Sequence, residues 1–335
     1  MAAGLGEPAT LACPRGALAE AARAAGMRVE PLRRRPLELR ASARDRVLAA
    51  GRIAAAAREV RGHVRALAPD AVIGWSMRGG MAAAAALGGM RPRPWLVFQQ
   101  NDLLPGPLVG RVVRLATRRA DRVIALSHAI ADDLGEPATV VHPGVDLDRF
   151  APAPPPERPH ALVLGAIVDW KRPDLALEAA AIAAHELPDL RVTLAGATLN
   201  DAGERLLARL RERAAAPDLH GRVEFGGRIA DSAAALNGST CLLHCADREP
   251  FGLALVEALA CGRPVVAAAA GGPAEIVDDG CGRLYPPGNA AAAAAALVEA
   301  VRNSGPLGEA ARARAERLFD GRVARERWRA ATSVE

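Results

Sequence analysis

Apolar and polar positions alternate along this chain in two recurring rhythms. Short runs of Val, Ile, Leu and Ala, roughly four to eight residues each, have the length and residue choice of buried strands. Longer Ala- and Arg-rich stretches between them repeat their apolar positions at helical spacing. Strands are predicted at 9–14, 27–32, 71–75, 95–100, 121–127 and 139–144, then at 160–167, 190–196, 222–227, 240–246 and 264–269. The longest intervening helix is expected from about Asp45 to Leu67. Strand and helix in strict alternation point to parallel sheets covered on both faces, an α/β class. The stretch APAPPPERPH at 151–160 interrupts the rhythm, because consecutive prolines join neither helix nor sheet ladder. Residues 1–150 are therefore expected to form a first doubly wound domain and 161–318 a second, with 151–160 as linker. A C-terminal helix at 319–335 is expected to cross back to the first domain through Val323, Arg327 and Trp328. Open sheets of this class bind ligands at the carboxyl ends of their strands, so the expected site is a cleft between the two domains.

Length agrees with two domains, since single cores rarely grow past ~250–300 residues, and this chain has 335. No apolar run approaches the ~20 residues that span a bilayer. The opening residues carry no basic stretch followed by an apolar one, so a cytoplasmic chain is expected, peripheral at the inner membrane face. Five cysteines, an odd number without CxxC spacing, fit a reducing compartment. Cys241, His244 and Cys245 lie close enough in sequence to suggest a metal, but an apolar strand core is the plainer reading of CLLHC. The net charge of +5 with only 3% aromatic residues argues against nucleic acid, which needs stacking platforms, and for an anionic small molecule or anionic surface. The run of arginines after the second strand, including Arg33, Arg34 and Arg35, reads either as a solvated loop or as a basic lip for an anionic membrane or acceptor. The chain's one lysine is Lys171, just after the strand at 160–167.

The segment from Glu249 to Val266, EPFGLALVEALACGRPVV, carries the most chemistry. It follows a strand and is expected to open a helix at about Phe251, which leaves the N–H groups of Phe251, Gly252 and Leu253 free to meet an anion. Gly252 permits close approach of a phosphate, and Glu249 projects over the same place. Glu257, two turns along, can accept hydrogen bonds from two vicinal hydroxyls, as a ribose presents them. Lys171, at a strand end with Pro173 starting the next helix, can neutralise a diphosphate as a point charge.

These residues resemble the Glu-x7-Glu motif of the family four retaining glycosyltransferases, members of glycosyltransferase group one with the GT-B fold. The likeness includes Phe251-Gly252, the continuation to Val266, and GGPAEIV at 271–277. It extends to ADRVIALSHAIADDL and VVHPGVDLDRF in the first half, and covers roughly residues 9 to 330. The resemblance implies two Rossmann-like domains facing across a cleft, and metal-independent transfer with retention of configuration from a nucleotide-diphosphate sugar. The acceptor would be a glycan, a lipid-linked molecule or a small molecule, and no cofactor is implied. Glu249 would touch hydroxyls of the donor sugar, Glu257 the ribose, and Lys171 the phosphates.

Three departures accompany the likeness. The family usually places an arginine after the strand glycine, but Gly165 is followed here by Ala166, which leaves Arg172 or Arg228 as the second cation. The family often has a His-Asp pair near the acceptor, where this chain has Asn101 and Asp102; Asn101 can hydrogen-bond a hydroxyl but takes no proton. The family opens with a strand, a glycine-rich turn and a helix, so the first domain is expected to lack that unit, with the native start upstream. Asp146 and Asp148, an Asp-x-Asp in a turn, match a structural loop and are assigned no metal. Two rival readings stay open: a nucleotide-sugar 2-epimerase of the same fold, and a catalytically degenerate scaffold that binds nucleotide sugars.

Overall fold

The computed structural model of the chain describes residues 9–35 and 43–333. It divides into two units, one formed by Met1–His142 with Ala324–Glu335 and the other by Pro143–Val323. The division falls at Pro143 rather than in the proline-rich stretch, for a physical reason. Asn237 accepts from the amide of Ala153 at 3.1 Å and donates to the carbonyl of Ala151 at 2.9 Å. The guanidinium of Arg263 donates to the Ala153 carbonyl at 2.5 Å. Prolines leave carbonyls free to accept, and here they anchor the segment to the second unit instead of leaving it a loose linker.

The first unit runs β1 (Thr10–Pro14), α1 (Ala17–Ala24), β2 (Arg28–Leu32), α2 (Ala43–Leu67), β3 (Ala71–Trp75), α3 (Ser76–Leu87), β4 (Trp95–Gln100), α4 (Pro107–Thr117), β5 (Arg122–Ala125), α5 (His128–Leu134) and β6 (Thr139–Val140). All its pairings are parallel, but they form two sheets: β1 pairs with β2, while β3, β4, β5 and β6 form a separate four-stranded sheet. Helix α3 lies directly on that sheet because its contact residues are glycines. A Cβ on Gly74 would come within 2.5 Å of the Gly80 backbone, and one on Gly80 within 2.4 Å of the Phe98 ring. One face of the sheet buries Phe98 with Met77, Met81 and Leu87, and the other buries Val97 and Ile124 with Trp328. The indole N–H of Trp328 donates to Oε1 of buried Gln99 at 2.8 Å, which pairs the indole N–H and that oxygen in the core.

The second unit runs β7 (His160–Leu164), a 3-10 turn at Asp169–Lys171, α6 (Pro173–Ala183), β8 (Arg191–Ala195), α7 (Asp201–Ala214), β9 (Val223–Gly227), α8 (Ser232–Asn237), β10 (Cys241–His244), α9 (Leu253–Ala260), β11 (Val265–Ala268), α10 (Pro273–Ile276), β12 (Gly282–Tyr285), α11 (Ala290–Arg302), α12 (Ser304–Leu318) and α13 (Gly321–Thr332). From Ala324 onward α13 belongs to the first unit. Asn200 and Asn289 cap α7 and α11 by accepting from Gly203 and Ala292. The six strands form one parallel sheet in the order β12-β11-β10-β7-β8-β9. Counted from β7, that order is 3-2-1-4-5-6, the doubly wound arrangement whose direction reverses between its first and fourth strands. The reversal lies between β7 and β10, so whatever follows those two strands stands at the sheet's natural ligand position. Both faces are apolar, which is why β10 and β11 are buried along their whole length.

Candidate active site

Three adjacent strands, β7, β10 and β11, deliver the site at their carboxyl ends. After β7 the chain turns at Gly165 and passes through the 3-10 turn that ends in Lys171. After β10 it runs from His244 to Glu249 and into α9, and after β11 through Gly271 and Gly272 into α10. The backbone ties these loops together. The amide of Asp247 donates to the Trp170 carbonyl at 3.0 Å, and that of Gly272 to the Glu249 carbonyl at 2.9 Å. The last contact explains the paired glycines. A Cβ on Gly271 would lie 2.3 Å from the Glu249 oxygen, and one on Gly272 would lie 2.2 Å from the Phe251 oxygen. Gly271 also holds φ at +80°, a left-handed value that favours glycine. The glycines thus buttress the backbone that carries Glu249.

Lys171 and Glu249, separated by 78 residues in sequence, form an ion pair on Oε2 of the carboxylate. Lys171 also lies over the Trp170 ring, 4.5 Å from its centre. The buried His244 places Nε2 3.0 Å from the same Oε2. Burial opposes charge on Glu249, but the hydrogen bond from His244 and the positive charge of Lys171 outweigh it and hold the carboxyl well below the usual carboxylate range. Glu249 is therefore ionised at neutral pH. Burial lowers the His244 pKa, and the Lys171 charge adds to that effect.

Helix α9 starts at Leu253, two residues later than the sequence suggested, because Gly252 takes φ of +109° and caps it. The Phe251 ring is a core group, 3% exposed, packed edge-on against Phe319 with ring centres 6.1 Å apart. The amides of Gly252 and Leu253 have no acceptor among the described residues, and Leu253 is half exposed. Glu257 lies on the same helix, partly buried, and burial pushes its carboxyl up against a hydrogen bond from Ser232 and the charge of Arg149.

The remaining expected residues are placed as follows. Gly165 stands at the end of β7, its amide donating to Ala195 at 2.9 Å. The guanidinium of Arg172 is not free. It is held by Asp174 at 2.9 Å and Asp247 at 3.3 Å, and lines a groove of about 700 Å³ with Asp169, Trp170, Arg209 and Arg213. Arg228 follows β9 and is exposed, with no partner among the described residues. Asn101 and Asp102 follow β4 in the first unit. Oδ1 of Asn101 is buried without a described partner, and the Asp102 carbonyl accepts from Gln100 at 2.6 Å. Asp146 accepts from the amides of Asp148 and Arg149, each at 3.1 Å, so it shapes a turn. Burial pushes the thiols of Cys241 and Cys245 up to about 12, as inert core residues. Sequence reasoning missed His244 as a site residue. Its signal was there: the one imidazole in CLLHC, at the carboxyl end of the strand.

The family model of glycosyl transferases group 1 matches residues 145–317, and that of glycosyltransferase family 4 matches residues 3–149. D-inositol 3-phosphate glycosyltransferase 2 of Catenulispora acidiphila is 35% identical over 222 residues, 57% of this chain and 51% of that protein. The D-inositol 3-phosphate glycosyltransferase of a Mycobacterium strain is 37% identical over 182 residues, 48% of this chain and 40% of that protein. The chain spans about half the length of the curated relatives it matches. Among solved structures, Anabaena HepE in complex with UDP and glucose superposes with a TM-score of 0.79 at 21% identity, covering 97% of this chain and 92% of that one. Sucrose-phosphate synthase of Thermosynechococcus elongatus superposes with 0.76 at 21% identity, covering 90% and 82%. This likeness shows the fold, GT-B.

Proposed function

The chain belongs to the glycosyl transferases group 1 family, and from that premise we propose that it transfers a sugar, with retention of configuration, from a nucleotide-diphosphate sugar to a hydroxyl acceptor. The observation that carries the reading is the meeting of Lys171 and Glu249 at the point where strand order reverses between β7 and β10. An ammonium has three N–H donors, so Lys171 can bridge Glu249 and a departing diphosphate. The free amides at the start of α9 face the same developing charge. Ionised Glu249 would accept from hydroxyls of the donor sugar, and Glu257 from the ribose. As the bond from the anomeric carbon to the phosphate oxygen breaks, the acceptor oxygen bonds to that carbon on the same face, and its proton passes to the departing phosphate. No step calls on a metal, so chelators should leave the rate unchanged. HepE in complex with UDP-glucose supports trying UDP sugars first.

We expect Glu249→Gln and Lys171→Ala to lower kcat by about 10²-fold or more, and Glu257→Ala chiefly to raise donor KM. Near-normal turnover in Lys171→Ala would reject the phosphate assignment, and an inverted product by NMR would reject retention. A second reading, a scaffold that binds the donor without turnover, is favoured by Ala166 together with the capture of Arg172 by two carboxylates. Tight nucleotide binding with neither transfer nor donor hydrolysis would establish it. For the acceptor, Asn101 and Asp102 are proposed contacts. Cytoplasmic location with peripheral contact at an anionic membrane completes the proposal. No described helix is long and apolar enough to cross a membrane, while α4 exposes Leu108, Val112 and Leu115 beside Arg111.

A further inference from the structure

Glu249 takes both of its described donors on one oxygen. Lys171 and Nε2 of His244 meet Oε2, and Oε1 has no partner among the described residues. An ionised carboxylate only accepts hydrogen bonds, so Nε2 must carry the imidazole proton. In the neutral ring Nδ1 is then bare, and that atom is buried with no hydrogen-bond partner. A second proton there would be an N–H with nothing to receive it, close to the charge of Lys171. His244 is therefore fixed in one tautomer and gives one hydrogen bond in one direction. An unpartnered buried nitrogen is a cost that an apolar residue in this strand would avoid, so filling the core does not explain a histidine here. Its backbone is equally fixed. His244 is the last residue of β10, opposite Ala267 of β11, and the Tyr285 hydroxyl donates to its carbonyl at 3.4 Å.

We infer that His244 is a positioning residue for sugar transfer: its Nε2–H pins Oε2 of Glu249, leaving Oε1 aimed at the donor sugar when Lys171 turns to the diphosphate. The inference rests on the sugar-transfer reading above. The reason for a second donor is the sequence of events. Once Lys171 shares its donors with the leaving group, His244 is the described group whose hold on the carboxylate is undivided. Glutamine can place its Nε2 where that of histidine stands, whereas asparagine is too short to reach Glu249 and phenylalanine fills the space without donating.

The test compares His244→Gln, His244→Asn and His244→Phe in the full chain with a UDP sugar that the wild type uses. His244→Gln should keep kcat within about 10-fold, while His244→Asn and His244→Phe should lose on the order of 10²-fold with donor KM little changed. In these last two the acid limb of the kcat profile should move to higher pH, since Glu249 has lost a donor to its charged form. The other groups at His244, namely the Lys171 ammonium and the Tyr285 hydroxyl on its carbonyl, are unchanged in each variant. Imidazole 15N NMR of the wild type should show Nε2 protonated and Nδ1 bare, whether or not any variant folds. A His244→Phe protein with wild-type kcat and an unmoved acid limb would overturn the inference, as would a bare Nε2 or a His244→Gln no better than His244→Phe. A wild type that transfers no sugar overturns the underlying reading, and this inference with it.

Discussion

At the scale of single residues, the candidate site buries two groups, His244 and Glu249, that bind protons less readily when folded. His244 has its pKa lowered from 6.5 by burial and by Lys171. Glu249 has its pKa lowered from 4.5 because the donated hydrogen bond and the Lys171 charge overcome burial. In both cases the unfolded chain binds the proton first, so stability is fully present above the unfolded pKa and is lost as pH falls through the folded one. Glu257 acts with the opposite sign, since burial raises its pKa and acid returns stability. The two glutamates oppose each other in the acid range, which leaves the window below about pH 6.5 to His244. The urea midpoint of the second unit should therefore fall between about pH 7 and pH 5, and His244→Phe should flatten that slope. An unchanged slope in the variant would show that other groups cause it. Sequence made some of these residues legible and not others. A single lysine at a strand end and two glutamates eight residues apart are visible as letters. That His244 turns toward Glu249, or that Asp174 and Asp247 capture Arg172, depends on loop paths that no local pattern encodes.

At the scale of elements, apolar rhythm was a good guide wherever a strand is buried on both faces. Each of β1 to β11 falls within a run predicted from sequence. The exception is β12, Gly282–Tyr285, only four residues long with a glycine and an arginine in it. It carries glycine because a Cβ at Gly282 would meet the Val265 oxygen at 2.1 Å, a tertiary reason invisible to periodicity. The start of α9 was misplaced for a similar cause, the left-handed turn at Gly252. Helix α4 shows the converse, an apolar pattern that burial does not absorb. Leu108, Val112 and Leu115 are 57%, 51% and 55% exposed at spacings that share one face, and Arg111 lies among them. The arginine run after β2 is a weaker candidate, because Arg35 is already paired with Glu59 at 2.6 Å; residues 36–42 of that stretch lie outside the described residues. Anionic vesicles should sediment the protein at low salt and release it as salt rises, the Debye length shrinking to ~3 Å at 1 M. Replacing Leu108, Val112 and Leu115 with Ser should reduce sedimentation more than replacing Arg33 and Arg34. A wild type that never sediments would remove the membrane from the proposal.

At the scale of the whole molecule, two α/β units were legible because the strand–helix alternation breaks once, at the prolines. The position of the break was not, because hydrogen bonds with Asn237 and Arg263 bind that stretch to the second unit. The two units differ in how their strands are joined, and this difference should be measurable. The second unit has one continuous six-stranded sheet with two edges, whereas the described residues of the first form a pair and a foursome, hence four edges. Two-stranded sheets are marginal alone, and β1 and β2 are also more exposed than β10 and β11. The first unit should accordingly unfold at lower urea. The tryptophans separate the signals: Trp75, Trp95 and Trp328 belong to the first unit and Trp170 to the second. Fluorescence of a Trp170→Phe variant should therefore report an early transition, and far-ultraviolet circular dichroism both an early and a late one. A nucleotide diphosphate bound by the second unit should shift the late transition, by about 2.7 kcal/mol at a hundredfold excess over Kd, and leave the early one in place. Coincident transitions by both probes, moving together with ligand, would show instead that the units fold as one cooperative body, with the split sheet of the first no weaker than the continuous sheet of the second.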